Sequence, residues 1–286
     1  MFSRKGRLHL VFEFVDKNLL EVLTENYPRG FDYNGMRTCV WQIVRALEYC
    51  HRHDVIHRDI KPENILVNLS DMCIKLCDFG FARTIPVSGS LTDYVATRWY
   101  RPPELLLGST TYGPGIDMFA TGCIMSELID GQPLLPGESE IDQLALIHRV
   151  IGPLTSDQRS IFVCNPRFVG SPIPYNPTVK CVSLEERYST VLPKKGLLFL
   201  RYLLAIDSRD RISADQCLRH AFFDGIANYL PRQLRPNTVS LPPRNACSRQ
   251  SSTESVREPA PKLNTCWIRP SKLTNFSYTH PWQRSR

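Results

Sequence analysis

Residues 57–64 read His-Arg-Asp-Ile-Lys-Pro-Glu-Asn, and fourteen residues after Asn64 comes Asp78-Phe79-Gly80. Nothing else in the 286 residues constrains the fold as strongly. Between the two strings lie two short apolar runs, Ile65-Leu66-Val67 and Ile74-Lys75-Leu76. Runs of this length and composition read as paired strands. The sequence therefore predicts a hairpin with Asn64 at its entrance and Asp78 at its exit, which sets two polar loops side by side. Gly80 permits the sharp turn after Phe79. A His-Arg-Asp triplet alone is most often a solvated charged loop; here the hairpin and the second acidic string argue against that.

The two strings resemble the catalytic loop and the metal-binding loop of eukaryotic protein kinases. The resemblance runs from about Leu8 to Phe223. It implies an α+β, protein-kinase-like fold whose large lobe is mainly helical, with a hinge strand left from the small lobe. It also implies ATP and Mg²⁺ as cofactors. Asp59 would stand beside the attacking hydroxyl, and Lys61 would neutralise charge on the moving γ-phosphate. Asn64 and Asp78 would supply hard oxygen ligands for Mg²⁺. Thr97 resembles the threonine that bridges the catalytic Asp and Lys in serine/threonine kinases. Glu13 and Val15, with Phe14 between them, would offer hinge backbone groups to adenine, and Leu66 would form the floor.

The stretch Thr92-Asp93-Tyr94-Val95-Ala96-Thr97-Arg98-Trp99-Tyr100-Arg101, followed by Pro102-Pro103-Glu104, is similar to the activation segment of the branch holding cyclin-dependent and mitogen-activated kinases. Thr92 and Tyr94 stand where an activating kinase upstream would add phosphate. Arg58, Arg83, Arg98 and Arg101 are the arginines available to such phosphates. Within the branch the chain resembles the cyclin-dependent kinase-like family, through Leu10–Val15, Lys75–Arg83, Asp130–Leu134, Pro136–Leu144 and Asn165–Phe168. The same resemblance implies a buried Glu104–Arg211 ion pair and an Asp117 that holds the catalytic-loop backbone from below. A plain helix N-terminal acid is compatible with that second role. Pro102 stands where the family usually has a small residue, and it should push Arg101 towards extended backbone.

Helical periodicity places Met36, Val40, Ile43, Val44, Leu47 and Cys50 on one face between Tyr33 and His53. An almost wholly apolar helix opens at Ile116, and amphipathic ones span Ile141 to Ile151 and Lys194 to Ile206. The Pro-rich stretch from Pro153 to Pro177 reads as a family insert, serving as a surface loop or a docking element.

No Gly-x-Gly-x-x-Gly and no Val-Ala-x-Lys occur in the chain. Leu8, Leu10 and Phe12 alternate like the last strand of a sheet, just before the hinge-like Glu13. The expected organisation is a remnant of the small lobe and hinge over 1–15, a large lobe over 16–224, and a disordered Pro/Ser/Arg-rich tail over 225–286. The ten cysteines show no C-x-x-C pair and read as reduced core residues. Cys77 is either a small apolar filler or the back wall of the nucleotide cleft. The formal charge of +7 comes largely from the tail. Two functions of different class follow. One is a protein serine/threonine kinase, impaired in these 286 residues. The other is a catalytically weak or inactive protein-interaction module. Expected partners are protein substrates and an upstream activating kinase; a cyclin, a membrane and a specific nucleic acid are not expected. The expected location is cytoplasmic, nuclear or both.

Overall fold

The structure, a computed structural model, describes residues 2–4, 6–85, 97–171 and 182–235. Strands β1 (Phe2–Arg4) and β2 (Arg7–His9) form an antiparallel hairpin pairing Phe2 with His9. Gly6 turns the chain between them at φ +72°, a left-handed conformation that glycine adopts without steric cost. Both strands are exposed on both faces. The strand expected to run through Phe12 instead stops at His9. Among the described residues no second layer receives them: Leu8, Leu10, Val11, Phe12 and Phe14 stand 47–84% exposed, and a strand gains little without a packed face.

The lobe proper begins at β3 (Lys17–Asn18) and helix α1 (Leu19–Asn26). Asn18 and Glu21 cap α1 reciprocally, each side chain accepting the other's backbone N–H. Helix α2 (Tyr33–Arg52) starts at Asp32, whose carboxylate accepts from Gly35 N at 2.8 Å. All six apolar positions read from its periodicity are buried. A short β4 (Val55–Ile56) leads into the catalytic-loop string, which ends in a 3₁₀ turn over Pro62–Asn64. The expected hairpin follows as β5 (Ile65–Asn68) and β6 (Cys73–Leu76), pairing Ile65 with Leu76 and Val67 with Ile74. Strand alternation buries Ile65 and Val67 and leaves Leu66 half-buried on the other face. β3 pairs with the outer edge of β5, and β7 (Arg83–Thr84) returns to pair with β4.

The remaining elements are helical: α3 (Pro103–Leu106), α4 (Gly115–Asp130), α5 (Glu140–Val150), α6 (Ser156–Cys164), α7 (Leu184–Tyr188), α8 (Lys194–Leu203) and α9 (Ala214–Leu218). α4 is the centre of the core, buried all round from Ile116 to Leu128, as its unbroken apolar sequence requires. It packs on α2 and α8. Gly122 allows the α8 contact, since a Cβ there would lie 2.7 Å from Leu204 Cδ2. The Pro-rich stretch is more ordered than a surface loop: α6 occupies its first half, closed by a Thr155–Gln158 capping box, and residues 172–181 lie outside the described residues.

The lobe also extends past the expected boundary at 224. Ile226 and Leu230 are buried in the main core; two apolar positions alone make no periodic signal. Residues 236–286, with most of the expected tail, lie outside the described residues. The described cysteines are free; five are buried, Cys77 is half-buried and Cys164 is exposed. Burial pushes the Cys39 thiol up to about 12 and the Cys50 thiol to about 11, so both are protonated filler. Among the described residues no helix is long and apolar enough to cross a membrane.

Candidate active site

α4 positions the catalytic string. Asp117, in its first turn, is buried and accepts from the backbone N–H groups of His57 and Arg58, both at 2.9 Å. Its Oδ2 also meets His51 Nε2 at 2.8 Å. Burial alone would raise this carboxyl. The His51 hydrogen bond, the charges of His51 and His57 and the His57 N–H outweigh it, and the net direction is down. The grip matters because Arg58 sits at φ +70°, which a side-chain-bearing residue adopts at a cost. Both readings of Asp117 hold: it is a helix N-terminal acid, and it fixes the loop.

Asp59 follows. Its carboxylate is 4% exposed and faces Lys61 Nζ at 2.9 Å. Thr97 N and Thr97 Oγ1 donate to Asp59 Oδ1 at 3.2 and 3.3 Å. Lys61 Nζ also donates to Thr97 Oγ1 at 3.1 Å. The triangle of Asp59, Lys61 and Thr97 expected from sequence is therefore closed. Asn64 Nδ2 donates to Asp59 Oδ2 at 2.9 Å and to Asp59 O at 2.8 Å. Both donations orient the amide so that its oxygen remains for a metal.

The hairpin delivers the second loop. Cys77 N donates to Asn64 O at 3.0 Å, which brings Asp78 beside Asn64. Asp78 has φ +58°, and its Oδ1 accepts from Gly80 N at 3.2 Å. His57 ties the loops together. Its Nδ1 accepts from Asp59 N at 3.3 Å, so its Nε2 is the donor to Cys77 O at 3.0 Å. Its ring lies 4.8 Å from that of Phe79. The Asn64 amide oxygen and the Asp78 carboxylate fit Mg²⁺, a hard cation that takes one or two protein oxygens and completes its shell with phosphate and water. Among the described residues no group of three or more His, Cys, Asp or Glu could hold a metal by itself.

On the nucleotide side, Leu66 presents the half-buried face of β5, and Val15 lies just before β3 at that strand's edge. Asp16 Oδ2 accepts from Leu69 N at 2.8 Å. Glu13 pairs its carboxylate with Lys75 Nζ at 3.0 Å. Cys77 lies half-buried beside Asp78; burial raises its thiol, the Asp78 charge adds to that, and Lys61 opposes it.

The arginines divide. Arg58, buried, donates to Phe81 O at 2.7 Å and to Tyr112 Oη at 2.6 Å. Arg83 is exposed in β7 and bonds Ala82 O. Arg98 donates to Glu138 O at 3.0 Å, and Arg101 pairs with Glu140 at 3.3 Å. Among the described residues, Arg58 and Arg83 thus bond the segment after Asp78-Phe79-Gly80, and Arg98 and Arg101 bond the start of α5. Thr92 and Tyr94 lie outside the described residues.

The platform around Arg98–Tyr100 is tied down. Trp99 Nε1 donates to Gly137 O at 3.1 Å, and Tyr100 Oη donates to Glu127 at 2.8 Å. Glu104 and Arg211 form the expected pair, bidentate at 2.7 and 3.2 Å with the Arg211 side chain fully buried. Pro102 opens α3 in extended geometry, and Arg101 before it is extended too, at φ −82° and ψ 127°. His51, Tyr112 and Glu127 were not singled out by sequence, because each acquires its role from a partner 27 to 66 residues away.

The protein kinase domain model matches residues 1–223. The chain belongs to the protein kinase domain family. It is 49% identical over 224 residues to cyclin-dependent kinase-like 5 of Mus musculus, covering 78% of this chain and 23% of that protein. It is 46% identical to Mus musculus cyclin-dependent kinase-like 4, over 78% of this chain and 64% of that protein. It is 45% identical to Rattus norvegicus cyclin-dependent kinase-like 2, over 82% and 46%. The chain thus spans less than two thirds of these relatives. Among solved structures it is similar to the yeast RNA Pol II CTD kinase CTDK-1 complex, with TM-score 0.69 and 30% identity over 78% of this chain and 73% of that chain. The fold is the α+β kinase fold, and the similarity supports the cyclin-dependent kinase-like family.

Proposed function

We propose that this chain acts as a protein serine/threonine kinase, moving the γ-phosphate of ATP to hydroxyls of protein substrates in the cytoplasm or nucleus. The observation that carries the reading is the Asp59–Lys61–Thr97–Asn64 cluster. Asp59 is poised to orient the substrate hydroxyl and accept its proton, help worth on the order of 10²–10⁴-fold. Lys61, already beside Asp59, can follow the charge that develops on the transferred group. Asn64 and Asp78 would hold Mg²⁺, which when bound neutralises phosphate charge. Thr97, closing the triangle under the platform, supports serine or threonine as the acceptor. Thr92 and Tyr94 are proposed sites for an upstream kinase, and the reading invokes no cyclin.

Phosphoryl transfer depends mainly on positioning and charge placement, and these 286 residues contain neither a glycine-rich phosphate cover nor a Val-Ala-x-Lys strand. We therefore propose that the chain alone turns over slowly. The test compares it with a fusion carrying a complete small lobe from a close relative, at saturating ATP and Mg²⁺. Activity appears in the fusion and disappears with Asp59→Asn. Robust Asp59-dependent turnover by the chain alone refutes the slow-turnover reading, and an inactive fusion refutes the kinase reading. The second reading, a protein-interaction module, draws on the exposed Leu8, Leu10, Val11, Phe12 and Phe14; an inactive fusion that still captures a substrate protein would favour it.

A further inference from the structure

The lobe grips Arg58 at both ends. Asp117 holds its backbone N–H from the first turn of α4, and Tyr112, five residues earlier, holds its guanidinium at 2.6 Å. The guanidinium also donates to Phe81 O at 2.7 Å, in the segment that follows the metal-binding string. One side chain thus joins the catalytic loop, the metal loop and the α3–α4 connection. Tyr112 is itself pre-set. The connection is folded by Ser109, whose Oγ donates to Thr111 O at 2.9 Å and accepts from Thr111 N at 3.2 Å. The Tyr112 ring packs on Ile56, Leu105 and Ile116, a small apolar cluster separate from the main core. The ring is held by packing, and the hydroxyl reaches beyond the cluster to the Arg58 guanidinium.

We propose that Tyr112 is a positioning residue for phosphoryl transfer: its hydroxyl holds the Arg58 guanidinium on the Phe81 carbonyl and so sets the catalytic loop against the metal-binding loop. The inference rests on the kinase reading for its consequence in turnover, and on geometry alone for its consequence in loop order. A hydrogen bond to a charged group strengthens in a low-dielectric surrounding, and Arg58 is 3% exposed. Losing the hydroxyl leaves one guanidinium N–H buried without that acceptor. The Arg58 bond to Phe81 O then loses the support that Tyr112 gave to the same guanidinium. Asp59, the next residue, inherits the disorder.

The experiment is Tyr112→Phe in the full chain, read by amide hydrogen exchange, with the kinetic arm in the small-lobe fusion. Exchange should rise about ten- to hundredfold in segments 56–59 and 79–85, as expected for loss of one charge-assisted bond. It should stay unchanged in α2 and α4. In the fusion, kcat should fall about tenfold with peptide KM unchanged. The same substitution in an Arg58→Met background should add nothing to exchange. Unchanged exchange in both segments overturns the proposal. So does a rise spread over α2 and α4, because the hydroxyl would then support the whole lobe. So does an effect that persists without Arg58. If the fusion is inactive with Tyr112 intact, the kinase reading fails and the exchange cycle alone decides the positioning role.

Discussion

Removing Arg211 should be the most damaging single change outside the catalytic loops. Its guanidinium makes two bonds to Glu104, at 2.7 and 3.2 Å, and three more to the carbonyls of Ala205 and Gly115 between 2.8 and 3.1 Å. It also lies 5.2 Å from the centre of the Phe119 ring. Arg211→Ala strands the Glu104 carboxylate, whose side chain is 13% exposed, and breaking a buried pair from one side costs about 3–5 kcal/mol. Glu104→Gln should cost less, about 1–3 kcal/mol, because the amide oxygen still accepts and the two carbonyls still hold the cation. Exchanging both partners for apolar residues, Glu104→Leu with Arg211→Met, should cost less than Arg211→Ala, since no charge is then buried alone. The assay is urea unfolding of the four proteins, compared by midpoint at constant slope. An Arg211→Ala loss below about 1 kcal/mol, or a double variant worse than the single one, would refute the reasoning that the cost lies in the stranded charge.

Two further outcomes follow from buried groups. Glu127 is pushed up to about 7, first by burial and then by the Glu63 and Asp130 carboxylates, with the Tyr100 hydrogen bond opposing. Its folded value lies above its ordinary 4.5, so the stability it lends is fully present below about pH 4.5 and lost as pH rises through about 7. Glu127→Gln should match the parent chain near pH 4.5 and exceed it above pH 7 by an amount on the order of 3 kcal/mol, at about 1.4 kcal/mol per tenfold; parallel melting-temperature curves across that window would contradict this. Gly131→Ala places a Cβ 2.5 Å from Pro28 O at φ +74°. The backbone conformation alone costs about 1–2 kcal/mol, the contact adds to it, and a variant with an unaltered urea midpoint would contradict this.

What the sequence made legible was local. The α2 face, the β5–β6 hairpin and the Asp59–Asn64 spacing all lie within a few turns of chain, so periodicity and motif spacing carry them. Family resemblance extended that reach to Thr97, Asp117 and the Glu104–Arg211 pair. What stayed hidden depends on tertiary placement. Leu10 and Phe12 alternate like a strand, yet a strand needs a layer to cover it, and none of the described residues supplies one. Ile226 and Leu230 read as tail because two apolar residues make no period; the surface of the lobe, not their own segment, buries them. The bonds of Arg98 to Glu138 O and of Arg101 to Glu140 were hidden too, because they join segments about 40 residues apart.

Among the described residues, four other than glycine have positive φ: Asp54, Arg58, Met72 and Asp78. Asp54 and Met72 sit in tight turns, where Asp54 follows the end of α2 and Met72 N bonds back to Asn68 O at 2.8 Å. Arg58 and Asp78 do not reverse the chain; they aim side chains in the two loops that face each other. Strained backbone costs about 1–3 kcal/mol per residue and persists only where the surroundings over-determine it. At Arg58 they do: Asp117 bonds two successive N–H groups, and hydrogen bonds to a charged group are worth about 1.5–3 kcal/mol each, enough to offset the strain. At Asp78 the hold is lighter, one bond from Gly80 N at 3.2 Å and the neighbouring Cys77 N–H on Asn64 O. The difference gives the loops different stiffness. The Asp59 side is fixed to the core through α4, while the Asp78 side is held through the hairpin, His57 and the Arg58 bond to Phe81 O. On the proposed kinase reading, substrate orientation is built into the lobe, and metal geometry is the part completed when phosphate binds.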